Sequence, residues 1–286
     1  GGDRAKSMSE TGFWDLLFEI LLRAWSWGGR AKSTSETWKK SPTRDTIESL
    51  VVTVILAIFG TTFVLQAFKI PTGSMETTLL IGDHLLVNKF VFAHPGGPLA
   101  RLLPYREIRR GDVVVFKFPP SDEPTQQAGE HFVKRVIGVP GDRERILHRR
   151  VWVNGQPVEE PFARYIYPQG SRLDDDFPPP EHYLRGATRR WSEAMPDHLR
   201  DGELVVPPGR YFVMGDNRQQ SWDSRFWGFV PRELISGRPL LIYWSFETSR
   251  EEYNRTSLAE RVSQTVDLVV HFFSKTRWRR TFGLVR

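Results

Sequence analysis

An apolar run covers residues 50–68, LVVTVILAIFGTTFVLQAF, nineteen positions without a charged side chain. At ~1.5 Å per residue, a helix of this length reaches about the thickness of a bilayer's hydrocarbon core. The run is too long for a cleavable signal peptide, begins about 50 residues into the chain, and precedes no small-x-small cleavage site. It therefore predicts one transmembrane helix over residues 46–69.

The distribution of Lys and Arg around this run predicts its orientation. Five basic residues precede it, whereas two follow it closely: Arg30, Lys32, Lys39, Lys40 and Arg44 against Lys69 and Lys89. Residues 1–45 are thus expected in the cytoplasm, and everything after Lys69 outside it. Within that region, residues 13–27 are typical of an amphipathic helix in the membrane interface rather than a second span. The repeated polar segment, 1–11 and 28–37, is typical of a linker.

Beyond the apolar run the pattern changes to alternating strands bounded by turn residues, which predicts a mostly β, antiparallel domain. The predicted strands are 84–92, 112–118, 131–139, 150–158, 210–216 and 239–246. We expect this domain to comprise 70–160 and 208–246, interrupted by an insertion at 161–207 that carries little core. The tail, 247–286, is predicted to be amphipathic and basic. It ends in a cluster suited to a membrane interface: Lys275, Arg277, Trp278, Arg279 and Arg280.

Composition narrows the possible chemistry. The chain has no Cys, which excludes disulfides, zinc–thiolate sites and cysteine nucleophiles. Its net charge of +6 is compatible with nucleic acid, but the basic residues concentrate at the two ends near hydrophobic segments. An anionic membrane surface is therefore the favoured partner, and no nucleic acid is expected. None of the seven His residues has metal-ligand spacing, so no metal site or cofactor is predicted.

Two segments suggest a nucleophile and a base. Ser74 follows Gly73 in a Pro-bounded turn, which presents its hydroxyl on a sharp bend, although a serine there is by itself an ordinary turn residue. Lys134 alternates with Phe132 and Val136 in a very apolar strand. If its side chain faces inward, burial lowers its pKa and lets a neutral amine act as a general base. If it faces outward, it is a solvated lysine. No histidine occurs in a context that favours a Ser–His–Asp triad.

A third segment, residues 215–225 (GDNRQQSWDSR), is a dense polar turn after an apolar strand. Its Asp and Arg residues suit a buried ion-pair network that supports a site. The alternative is a solvated hairpin loop with surface salt bridges.

Together these segments resemble the ordered sequence boxes of bacterial type I (leader) signal peptidases, a family of Ser–Lys dyad serine proteases. The boxes are PTGSMETTLLIGDHLLVNKF, RRGDVVVFKFP, KRVIGVPGD and GDNRQQSWDSRFWGFVP. The similarity extends over residues 46–246, with the closing TRWRR segment also similar. Two departures stand out: Thr77 replaces a usual Pro, and Trp222 replaces a usual small residue.

The resemblance implies roles for residues at matching positions. Ser74 is the implied nucleophile and Lys134 the implied general base, and the Ser74 N–H and Thr72 hydroxyl form the implied oxyanion hole. Ser221 is expected to orient the lysine, and Asp223, Arg225, Asp216 and Arg135 to support it. The residues implied to line shallow pockets for small substrate side chains are Ile70, Pro71, Met75, Leu79, Phe132 and Val133.

The implied activity is removal of signal peptides from exported preproteins, without a cofactor, at the bacterial inner membrane with the catalytic domain on the periplasmic side. Its implied partners are signal peptides and the lipid bilayer. Two alternatives remain open at this stage. One is a processing protease dedicated to a conjugation or pilus system. The other is a non-enzymatic, membrane-tethered β domain that binds envelope partners.

Overall fold

The computed structural model describes residues 42–60, 65–92, 106–119, 129–167, 176–179, 186–249 and 258–285. The predicted amphipathic segment at 13–27 and the repeated linker lie outside these residues. The first described element is helix α1, Pro42–Phe59. Its large apolar side chains between Ile47 and Leu56 are exposed.

The prediction of a helix over 46–69 is wrong in its last part, because Leu65–Lys69 form strand β1. This strand pairs antiparallel with β2, Asp83–Asn88, in a register that joins Leu65 to Asn88 and Lys69 to His84. The backbone pairing available in the sheet outweighs the helical tendency of an apolar run. Within the described parts of the chain, no helix is both long enough and apolar enough to cross a membrane.

Two antiparallel sheets make up most of the described structure, and the mostly β fold class is confirmed. The larger sheet has the order β1-β2-β12-β3-β4-β10-β11, with β13 pairing at β12. Its remaining strands are β3 Val113–Lys117, β4 His131–Gly138, β10 Arg210–Met214, β11 Val230–Pro231, β12 Ile235–Ser245 and β13 Gly283–Leu284. Strands β3 and β4 are mostly buried, and in β4 the charged residues Lys134 and Arg135 are buried together with the apolar ones.

The smaller sheet has the order β7-β6-β5-β9-β8. Its strands are β5 Arg143–Leu147, β6 Arg150–Val153, β7 Gln156–Pro157, β8 Leu199–Arg200 and β9 Glu203–Val205. Helix α2, Arg189–Ala194, precedes β8 and is capped by Thr188. The segment 161–207 therefore supplies two strands and a helix to this part of the molecule.

The expectation that 161–207 carries little core is wrong. Phe177, Trp191, Met195, Leu204 and Val206 are all buried in one hydrophobic cluster with strands β5, β6 and β10. Pro- and Arg-rich composition concealed these positions because each apolar residue is isolated in sequence and meets its partners only across the fold.

Helix α3, Ser224–Trp227, ends at Gly228, whose positive φ and close approach to the Trp191 ring exclude a side chain there.

The C-terminal tail forms helix α4, Leu258–Val270, and the short helix α5, Phe272–Lys275, before β13. Val266 and Val269 are exposed on α4, and Phe273 is exposed on α5. The prediction that the basic cluster at 275–280 faces a membrane interface is wrong for two of its residues. Arg277 and Arg280 turn inward to the fully buried carboxylate of Asp83, at 3.6 and 2.6 Å.

Candidate active site

Ser74 lies in a short 3₁₀ turn, Gly73–Met75, between β1 and β2. Asn217 holds this turn from the opposite loop. Its backbone N–H donates to the Ser74 carbonyl at 3.1 Å, and its side-chain Nδ2 donates to the Gly73 carbonyl at 3.1 Å. Gly215 makes the approach possible, since a Cβ there would lie 2.4 Å from the Ser74 carbonyl oxygen. The two loops thus fix the backbone that carries the Ser74 hydroxyl.

Lys134 reaches Ser74 from the middle of β4. The Lys134 side chain is buried, with 4 % of the residue exposed, and its Nζ lies 2.6 Å from Ser74 Oγ. A charged ammonium donates to the hydroxyl in this geometry, and a neutral amine accepts the hydroxyl proton at the same distance. The alternation with Phe132 and Val136 therefore indicated the correct, inward-facing side.

Burial lowers the pKa of Lys134 from 10.5 to about 8. The charges of Asp223 and Asp216 oppose this effect, whereas the nearby Arg225 adds to it. A sizeable fraction of the amines is therefore neutral in mildly alkaline solution, whereas a solvated lysine is almost wholly charged. Such an amine next to a serine hydroxyl is suited to general-base chemistry.

Two buried ion pairs flank the lysine. Arg225 Nε donates to Asp223 Oδ1 at 2.9 Å, and Arg135 Nη2 donates to Asp216 Oδ2 at 2.7 Å. Burial alone raises the pKa of Asp223, but Arg225, the charge of Lys134 and the backbone N–H of Gly215 together more than compensate, so the pKa is lowered. The carboxylate is thus engaged by Arg225 and by the loop, which limits how far it stabilises a charged Lys134.

Ser221 occupies different surroundings from those that its implied role suggested. Ser221 Oγ is buried and has no hydrogen-bond partner among the described residues, so the predicted bond to Lys134 is not formed. The amine points to Ser74 instead, while Ser221 packs against the backbone of Gly215. Thr72 is exposed in an extended conformation at the start of the turn, beside Ser74.

The residues implied to line substrate pockets divide into two groups. Ile70, Met75 and Leu79 are buried in one hydrophobic cluster, and Val133 packs against it. Phe132 points to the other face of β4 and packs in a second cluster, close to Lys134. Pro71 is half-buried beside the turn. Of these side chains, Pro71, Phe132 and Val133 are the ones partly open to solvent.

Several supporting contacts carry no clear sequence signal, even where one partner lies in the polar turn. Arg218 is fully buried and forms a two-point ion pair with Glu160, at 2.6 and 2.8 Å. Phe162 lies under the Arg135 guanidinium at 3.9 Å. Glu160 and Phe162 belong to a segment without periodicity, and their partners are more than 25 residues away along the chain. Asn217 lies inside the polar turn that the sequence singled out, but only the structure shows what it holds.

Comparison with known proteins identifies the family. The sequence family described as signal peptidase, peptidase S26, matches residues 43–244. A probable signal peptidase I-2 from Synechocystis sp. is 36 % identical over 72 % of this chain and 77 % of its own length. Signal peptidase I from Leptolyngbya laminosa is 34 % identical over 74 % of this chain and 85 % of its own length.

A solved structure of a signal peptidase I from Enterococcus faecalis is 27 % identical and aligns with 46 % of this chain and 97 % of its own, with a TM-score of 0.33. The family match and the two sequence relatives each extend over most of the chain, and the family match includes Ser74, Lys134 and the polar loop. The chain therefore belongs to the signal peptidase family, peptidase S26.

Proposed function

We propose that this protein is a membrane-bound signal peptidase I, a serine endopeptidase that removes N-terminal signal peptides from exported preproteins. The observation that carries the proposal is the 2.6 Å contact between Ser74 Oγ and the buried Lys134 amine. The two sequence relatives, named as signal peptidases, support the same substrate class.

In the proposed mechanism, neutral Lys134 accepts the Ser74 proton while Oγ attacks the scissile carbonyl. The Ser74 N–H and the Thr72 hydroxyl stabilise the negative oxygen that forms. The carbon–nitrogen bond then breaks, and the new amine of the mature protein takes the proton from Lys134. An acyl-enzyme on Ser74 remains. Lys134 next accepts a proton from water, the resulting hydroxide attacks the ester, and the proton returns to Ser74 as the signal peptide leaves.

The pocket for the residue before the cut is proposed at the buried cluster of Ile70, Met75 and Leu79, bordered by Pro71 and Val133. Close packing there leaves little volume, so small side chains are favoured in the substrate. Phe132 borders the site on the other face of β4.

The membrane anchor is proposed to include α1, because its exposed apolar side chains between Ile47 and Leu56 need a non-aqueous environment. The basic residues that precede it favour a cytoplasmic N-terminus and a catalytic domain outside the cytoplasm of a bacterial inner membrane. Anchoring enzyme and signal peptide in one bilayer raises their effective concentration and restricts the depth of the scissile bond.

The test is cleavage of an exported preprotein by the detergent-solubilised full chain, with the product identified by mass spectrometry. The wild type is expected to cut after a small residue at the end of the signal peptide. Ser74→Ala is expected to lose at least about a thousandfold in rate, because the nucleophilic oxygen is gone. Ser41→Ala, at a serine in the N-terminal region, is the matched control. Full cleavage by Ser74→Ala, free of host protease, would contradict the proposal.

A further inference from the structure

A groove lined by aromatic side chains lies beside the candidate active site. Phe118, Trp191, Trp227 and Phe229 contribute to its walls, and none of the described residues that line it is acidic. Arg190 and Arg210 also line the groove, and both residues are exposed. The groove therefore combines aromatic walls with two exposed, positively charged residues.

Contacts between aromatic rings connect this groove to the reacting groups. The Phe132 ring lies 5.9 Å from Lys134 Nζ, and the Phe118 ring lies 5.1 Å from the Phe132 ring. Phe118 also stacks on Trp222 at 5.2 Å and meets Trp227 edge-on at 5.4 Å. An extended chain advances ~3.3 Å per residue, so it covers the path from Lys134 to Phe118 in about three or four residues.

The two faces of β4 distinguish the two sides of the scissile bond. The proposed pocket for the residue before the cut is on the face of Val133, with Ile70 and Met75. The aromatic path is on the opposite face, with Phe132. Ser74 directly precedes Met75 of the first set, and Lys134 Nζ lies 5.9 Å from the Phe132 ring of the second, so the two sets adjoin the reacting pair from different sides.

We infer that this groove binds the first residues of the mature protein, beyond the cut, and that Arg190 and Arg210 favour acidic side chains there. The inference rests on the proposed function, which supplies the direction of the substrate. His198 adds no second reason for charge selectivity near neutral pH. Burial, with help from Arg210, lowers the pKa of this histidine. The selectivity thus belongs to the two arginines.

The experiment uses the full chain in neutral detergent and three peptides with the same signal-peptide side. They carry two Asp, two Asn or two Lys at the fourth and fifth positions after the cut. The wild type is expected to cleave the Asp peptide with a kcat/KM about threefold to tenfold above that of the Lys peptide at low ionic strength, and less at high ionic strength. The double variant Arg190→Gln, Arg210→Gln is expected to bring this ratio close to one.

The matched control is Arg189→Gln with Arg200→Gln, which removes the same charge from neighbouring exposed positions that do not line the groove. It is expected to keep the wild-type ratio.

Cleavage of the Asn peptide by the wild type reports on the proposed function separately. The groove inference is overturned if the wild type cleaves the Asn peptide but shows an Asp-to-Lys ratio of kcat/KM near one. It is also overturned if the control variant changes this ratio as much as the groove variant does. In both cases the proposed function stands. The inference also fails if anionic vesicles inhibit the wild type but not the groove variant and the peptide ratio is the same in both, because the groove then binds lipid.

Discussion

At the scale of single residues, the buried lysine is destabilising for the fold and useful for the chemistry. A pKa lowered from 10.5 to about 8 corresponds to about 3 kcal/mol of unfavourable burial when the amine is charged. Below about pH 8 the folded and unfolded states both bind the proton, so the cost is fully present. Between about pH 8 and 10.5 only the unfolded state retains it, so the stability rises with pH in this window.

The variant Lys134→Met is therefore expected to be inactive yet more stable than the wild type at neutral pH, by roughly 1–3 kcal/mol in the free energy of unfolding. Methionine has a similar shape and carries no charge into the apolar site. Denaturant unfolding at pH 7 and at pH 10 measures the effect, which should be larger at pH 7. A variant less stable than the wild type at pH 7 would show that the lysine's contacts outweigh its desolvation.

Glu144 is another buried ionisable residue, and the proposed reaction does not use it. Both of its carboxyl oxygens lack hydrogen-bond partners among the described residues, and burial raises its pKa well above 4.5. As the pH rises above 4.5, the unfolded state releases this proton before the folded state does, so Glu144 lowers the stability. Glu144→Met should consequently gain stability relative to the wild type as the pH increases from 4 to 7. An equal difference at both pH values in denaturant unfolding would contradict this.

The sequence predicted the reacting pair because each residue is conspicuous where it stands. Ser74 lies in a Pro- and Gly-containing turn, and Lys134 interrupts an apolar strand. The contacts around these two residues were harder to predict from the sequence. Ser221 was expected to bond Lys134, but local sequence does not determine side-chain direction in a loop. Glu160 and Phe162 were missed because their partners are distant along the chain.

At the scale of elements, the loop that contains Asn217 positions the turn that contains Ser74. Asn217→Leu removes the side-chain bond to the Gly73 carbonyl while keeping a similar volume. The expected result is a kcat about tenfold to a hundredfold lower with a KM changed much less, since a small displacement of the nucleophile affects the transition state most. Gln156→Leu, at an exposed amide side chain in β7, is the control. A lower affinity with unchanged kcat would show that Asn217 acts on substrate binding instead.

The C-terminal tail also holds the sheet from which that turn projects. Arg280 donates to the buried Asp83 carboxylate at 2.6 Å and to the Thr78 carbonyl at 2.9 Å. Arg280→Met leaves this carboxylate with fewer partners and is expected to cost about 3 kcal/mol of stability. Arg279→Met, at the exposed neighbouring position, should cost less than about 0.5 kcal/mol. Equal thermal midpoints for the two variants would contradict the role assigned to Arg280.

Strands were easier to predict than the elements that depend on distant contacts. Alternation located β2, β3, β4, β10 and β12, because one face of each pairs with an apolar core. The strand β1 was hidden at the end of an apolar run, where length alone favoured a helix. The strands β8 and β9 are too short for a periodic signal; β9 is stabilised by pairing with β5, and β8 by pairing with β9.

At the scale of the whole molecule, the proposed topology has the N-terminus in the cytoplasm and the catalytic domain outside. A reporter enzyme that works only after export, fused after residue 246, is expected to be active in cells, and one that works only in the cytoplasm is expected to be inactive there. Fused after residue 40 instead, the export-dependent reporter should be inactive and the cytoplasmic reporter active. If the cytoplasmic reporter alone works after residue 246, the orientation and the access to exported substrates are both wrong.

The central claim is that a neutral Lys134 activates Ser74, and the pH dependence of kcat/KM for preprotein cleavage tests it most directly. Because the pKa of Lys134 is lowered to about 8, the rate is expected to rise about tenfold per pH unit below that value and to level off above it. Lys134→Arg should be inactive throughout, since guanidinium keeps its proton in this range. A midpoint near 6.5, typical of histidine, or substantial cleavage by Lys134→Arg would contradict the account.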